Sequence, residues 1–268
     1  MSSKPTNTFT KENLDGYLKE LAKEYRRLNG KSMPAEIILI GGAAILANYG
    51  FREMTTDVDA VIQATSSMKD AINRVGDKFS LPNGWLNADF TKTTSYSPKL
   101  EQHSQYYRTF SNVLTVRTVS AEYLIAMKLQ SGRKYKHDLS DVIGILAEHQ
   151  KNSTPITLAD IKKAVTDLYG EWDKIPSDSQ TFIQEIMEKG NFEEMYLTMC
   201  REESKAKELL VDFEKNYPGV TNTENVNTVL TNLKKKASLL EQIQKAKEKG
   251  SAVDRSPAPK TDEHLLRN

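Results

Sequence analysis

The sequence predicts an α+β fold: a small mixed β-sheet flanked by helices to about residue 150, followed by a helical C-terminal region. Three observations predict it. Short apolar runs at Ile37–Ile40 and Val58–Ile62 have strand length and are bounded by glycines or turn residues. Val113–Val119 (VLTVRTV) alternates apolar and polar residues with the period of a half-buried strand. From KNSTPIT (Lys151–Thr157) onward, every recurring apolar pattern has the helical period. The expected organisation is therefore an α+β domain over 1–150, a helical domain over 151–215, and a charged helix with a disordered tail over 216–268.

In chain order, Leu14–Leu28 carries apolar residues at helical spacing and meets a stop signal at Asn29-Gly30. AEIILI then reads as a buried strand ending in Gly41-Gly42. AAILANYG is a short, tightly packed helix closed by Gly50. DVDAVI is a second strand, SMKDAINRVGDKF a helix, and GWLNADF a short strand or loop. After VLTVRTV, Ser120 is the expected N-cap of the helix AEYLIAMKLQ, which Gly132 closes. HDLSDVIGILAEHQ is a further helix with Leu139, Val142, Ile143 and Leu146 on one face. Beyond residue 157 lie helices through Phe213, a turn at Asn216–Asn222 and a charged helix over Glu224–Lys249.

Bulk properties exclude several classes. With 37 Lys and Arg against 36 Asp and Glu, the net charge of +1 asks for no polyanionic partner. The lone Cys200 excludes an intramolecular disulfide framework and a cysteine-based zinc site. No apolar run approaches the roughly 20 residues that span a bilayer, and MSSKPTNTFTKEN lacks a signal peptide's apolar core. These features lead to the expectation of a soluble cytoplasmic protein with no membrane partner.

The chemistry concentrates in IILIGGAAILANYGFREMTTDVDAVI (Ile37–Ile62). Alternate residues of a strand share a face, so Asp57 and Asp59 project together while Val58 and Ala60 point to the core. Two partly buried carboxylates side by side repel unless a cation lies between them. Mg²⁺ or Mn²⁺, which take oxygen ligands, suit that place. Gly41 and Gly42, at a strand-to-helix turn, would let backbone N–H groups approach phosphates with no Cβ in the way. Arg52 would hold the Asp57 carboxylate or a phosphate, and Thr56 flanks the acids as a binding residue or an ordinary strand former.

GGAAILANYGFREMTTDVDAVI resembles the signature of the DNA polymerase β-like nucleotidyltransferase superfamily: hydrophobic-Gly-Gly, a short helix, then Asp-x-Asp. Arg52 and Thr55-Thr56 ahead of the acids are most similar to small bacterial proteins related to the AbiEii abortive-infection toxin. The resemblance covers roughly Ile37–Glu148. It implies a nucleotidyltransferase core that uses a nucleoside triphosphate and Mg²⁺ (or Mn²⁺), with a tRNA 3′ end or a protein side chain as acceptor. It also implies a cognate toxin or antitoxin partner. In the superfamily a later strand often carries a third acid, for which Asp89 is the candidate as metal ligand or base. VSAEYLIAMKLQSGRKYKHDLSD resembles the toxin-like branch. There Lys128 would meet the triphosphate, with Arg133 and Lys136 adding charge or lying in a solvated turn. One of Asp138 and Asp141, preferably Asp141, would orient Lys128 or Arg133. Helix energetics alone also accounts for that pair, with Asp138 as N-cap and Asp141 in the first turn.

Overall fold

The computed structural model describes residues 8–222 and 225–253. It is an α+β fold with a five-stranded mixed sheet in the order β3-β2-β1-β5-β4. Helix α1 (Lys11–Asn29) opens on a capping box in which the Thr10 hydroxyl accepts from Asn13 N–H and the Asn13 side chain accepts from Thr10 N–H. Its buried residues Leu14, Leu18, Leu21, Ala22 and Tyr25 recur at helical spacing, and it packs on α3 (Ser67–Phe79). Strand β1 (Ala35–Leu39) lies between β2 (Val58–Gln63), antiparallel, and β5 (Leu114–Val119), parallel. Helix α2 (Gly41–Asn48) joins β1 to β2, and five of its eight residues are buried.

GWLNADF resolves into β3 (Leu86–Asn87), which pairs in parallel with β2, and a 3₁₀ turn over Asp89–Lys92. Strand β4 (Ser104–Phe110) completes the sheet as an edge strand with a bulge between Tyr106 and Arg108. The sequence does not announce it: one of its seven residues is buried, so it lacks the apolar alternation of a core strand.

Helix α4 (Ala121–Ser131) ends at Gly132 as expected, in the left-handed conformation (φ 54°). Ser120 does precede it, but its hydroxyl donates to the His103 carbonyl (3.0 Å) and makes no capping bond. Helix α5 (Asp138–Lys151) follows, then α6 (Leu158–Tyr169), α7 (Ser177–Lys189), α8 (Phe192–Asn216) and α9 (Val226–Val253).

The division anticipated near residue 150 is not where the packing divides. Both α6 and α7 pack on α4, and the first compact unit runs through Glu203. The second begins at Ser204 and comprises the remainder of α8 together with α9. The tail expected after Lys249 falls largely outside the described residues. Among the described residues, no helix is long and apolar enough to cross a membrane.

Candidate active site

The apolar run of β1 and Ile40 breaks at Gly41, whose φ of 55° lies in the left-handed region that favours glycine. Ile40, the N-cap of α2, makes no side-chain capping bond to the first N–H groups of this helix. A Cβ at Gly41 would sit 3.8 Å from Asp59 Oδ2, which places that carboxylate against the turn. Val58 and Ala60 are fully buried while Asp59 is half-buried and Asp57 exposed. Thr55 Oγ1 donates to the Asp57 carbonyl (3.2 Å) and to Asp57 Oδ1 (3.4 Å).

Burial pushes the Asp59 carboxyl up to about 6, and repulsion from Asp57 adds to the shift. Lys128, Lys136 and Arg133 act in the opposite direction without cancelling it. Among the described residues neither Asp57 nor Asp59 forms an ion pair. A half-buried carboxylate beside a second one, with no base paired to either, is a donor set that fits a hard divalent cation. Among the described residues no group of three or more His, Cys, Asp or Glu gathers in metal-holding geometry. Asp89 therefore does not join Asp57 and Asp59. Its side chain, 75% exposed on the 3₁₀ turn, pairs with Lys92 at 2.8 Å. The turn sends this residue outward immediately after β3 has ended.

Behind the acids lies a buried charge network. Lys128 is 8% exposed on α4, and its Nζ sits 2.9 Å from Asp138 Oδ1 and 2.8 Å from Asp141 Oδ2. Arg133 grips Asp138 through Nε at 2.7 Å and Nη2 at 3.1 Å. Arg52 Nη1 meets Asp141 Oδ2 at 2.5 Å, and its Nε donates to the Met54 carbonyl. Burial alone would raise the Asp138 carboxyl, but Lys128 and Arg133 outweigh it and hold this group below the usual carboxylate range. Burial alone would lower Lys128, and Asp141 and Asp138 reverse that shift.

Several expected roles change here. Arg52 pairs with Asp141, not with Asp57. Lys128 is buried and engaged by two carboxylates. Asp138 is the first residue of α5, and the N-cap position belongs to His137, whose side chain makes no capping bond. Asp141 pairs with Lys128, and Asp138 does so equally and also holds Arg133. Thr56 is exposed. The buried threonine is Thr55, which forms a two-bond bridge with Phe9. A Cβ at Gly42 would lie 2.7 Å from Thr55 Oγ1 and 3.0 Å from Arg52 Nη2. Gly42 thus admits the Arg52 guanidinium.

Sequence reasoning also missed Glu203 on α8, which is 2% exposed and accepts from Leu139 N–H (3.0 Å) and Ser140 N–H (3.3 Å). It caps α5 from 63 residues away, and no local pattern could signal that. Asp138 did carry a signal, since it lies three residues before Asp141 and ten after Lys128.

The mixed sheet thus carries Asp59 on β2 with Asp57 just before the strand, and Asp59 lies against the glycine turn that opens α2. The family described as a nucleotidyltransferase of unknown function (DUF6036) matches residues 16–167, more than half of the 268 residues, and the chain belongs to it. No curated protein and no solved structure matches the chain.

Proposed function

We propose that the protein transfers a nucleoside monophosphate from a nucleoside triphosphate to a hydroxyl acceptor, with Mg²⁺ or Mn²⁺ held by Asp57 and Asp59. Asp59 carries this reading: a half-buried carboxylate beside Asp57, with no paired base and a proton affinity raised to about 6. Such an ion, when bound, neutralises phosphate charge and polarises the attacked phosphorus. The two acids would supply oxygens from the protein, and water or phosphate oxygens complete the shell of a hard cation.

The chain's own contribution is positioning and fixed charge. The turn at Gly41 presents N–H groups at the start of α2, without a capping bond from Ile40, to an anion. Arg133, 38% exposed and anchored by Asp138, supplies a guanidinium at the margin of the site. Lys128 and Arg52 keep Asp138 and Asp141 in register below it. Asp89 takes no part in this reading. An acceptor at a tRNA 3′ end or a protein side chain, and a place in a toxin–antitoxin or phage-defence pair, draw on the resemblance to AbiEii-related proteins.

The test incubates purified protein with Mg²⁺, labelled nucleoside triphosphates, and total RNA or cell protein, beside an Asp57→Ala/Asp59→Ala double variant. Label transfer that disappears in the variant supports the reading, and transfer that persists overturns it. A second reading, a nucleotide-binding regulator with little turnover, is favoured by the missing third acid. It predicts triphosphate binding without transfer.

A further inference from the structure

The two glycines of the turn touch different side chains. At Gly41 a Cβ would lie 3.8 Å from Asp59 Oδ2, and at Gly42 it would lie 3.0 Å from Arg52 Nη2 and 3.1 Å from Arg52 Cζ. The Asp59 carboxylate and the Arg52 guanidinium are therefore both packed against the turn that opens α2. The guanidinium is firmly held, its side chain 15% exposed. Its Nη1 pairs with Asp141 and its Nε donates to the Met54 carbonyl, while among the described residues Nη2 makes no hydrogen bond. Two of the three nitrogens fix the plane, and the third stays open beside the glycines.

Charge in the buried network is also unbalanced. Lys128, Arg133 and Arg52 share two carboxylates, and a single oxygen, Asp141 Oδ2, serves both Lys128 and Arg52. Three bases on two acids leave a positive excess. At Arg52 that excess stands beside the N-terminal end of α2, whose dipole disfavours a cation and favours an anion. Arg133 spends Nε and Nη2 on Asp138, so Arg52 is the guanidinium with a nitrogen left at the turn.

We infer that Arg52 Nη2 contacts a phosphate oxygen of the donor nucleotide at the Gly41-Gly42 turn. This rests on the nucleotidyltransferase reading above and assigns one contact within it. Asp141 is then a positioning residue that orients the guanidinium, and Gly42 leaves room for it. A planar guanidinium can bond Asp141 and a phosphate at once, whereas an ammonium is a single point charge.

The test measures binding of Mn²⁺ alone, and of non-hydrolysable analogues of the four ribonucleoside triphosphates with Mg²⁺, to wild type and Arg52→Lys. The variant keeps the charge and a donor for Asp141 but has no second nitrogen for the turn. Arg52→Lys should weaken the triphosphate that wild type binds best at least about tenfold, as expected for loss of a charged hydrogen bond. Its Mn²⁺ affinity should be unchanged, which reports an intact pair of acids in a folded chain. Equal triphosphate binding by variant and wild type would overturn the assignment and leave the nucleotidyltransferase reading standing. A parallel loss of Mn²⁺ and triphosphate binding would also overturn it, because Arg52 would then serve the framework alone. A wild type that binds none of the triphosphates would remove both the reading and the inference.

Discussion

At Lys128 the ammonium bridges Asp138 and Asp141 at 2.9 and 2.8 Å in an almost water-free setting. Such a pair stabilises weakly against an apolar substitute, but removing one partner strands buried charge. Lys128→Met should therefore destabilise the fold by about 3–5 kcal/mol, read from urea denaturation. Asp59 behaves in the opposite way. Its anion is penalised by burial and by Asp57, so Asp59→Asn should raise the melting temperature without added metal. The same change should cut label transfer by about a hundredfold or more, the scale of losing a transition-state charge contact. The paired acids were legible in the sequence because alternation along a strand is local. The partner of Arg52 was not: it lies 89 residues on, beyond any periodicity.

Helix α5 shows how an element can depend on a distant residue. Its own N-cap position, His137, makes no capping bond, and the Glu203 carboxylate supplies the acceptor from α8. Burial raises the Glu203 carboxyl from 4.5 to about 7, against the lowering effect of hydrogen bonds from Ser140 and Leu139, while Asp141 adds repulsion. Between those values the folded state retains a proton that the unfolded chain has released. The Glu203 contribution to stability is therefore largest below about 4.5 and declines as pH rises through 7. Glu203→Gln keeps an acceptor for Leu139 and Ser140 but does not titrate. The stability difference between variant and wild type should thus grow in the variant's favour from pH 5 to 8, measured by denaturation at each pH. On the same helix, a Cβ at Gly144 would meet the Phe51 ring at 2.5 Å. Gly144→Ala should cost about 1–3 kcal/mol through overpacking, seen as a lowered denaturation midpoint. The helix itself was legible from Leu139, Val142, Ile143 and Leu146, whereas the need for glycine on it was not, because Phe51 arrives from another segment.

Over the whole molecule, the sheet and the helices up to Glu203 share one core, and the site rests on elements drawn from the length of that unit. A ligand that binds only the folded chain stabilises all of it together. Nucleoside triphosphate with Mg²⁺ at 100 times its dissociation constant should add about 2.7 kcal/mol. A thermal-shift measurement should show the gain in wild type and its absence in Asp57→Ala/Asp59→Ala. The strands β1, β2 and β5 could be read in advance because each is apolar or alternating over its own length. Edge strand β4 escaped notice because its neighbours leave most of it exposed. The division of the chain also escaped, since the composition change near residue 151 marks a new run of helices that still pack on α4.

By itself the sequence determined the α+β class, the glycine turn and the paired acids, because period, turn chemistry and side-chain alternation act over a few residues. Only the tertiary structure decided which charges are engaged. It buried Lys128 between Asp138 and Asp141, turned Arg52 away from Asp57, put Asp89 on the surface and brought Glu203 to the start of α5. Desolvation and ion pairing depend on which segments meet in space, and in this chain those segments lie tens of residues apart.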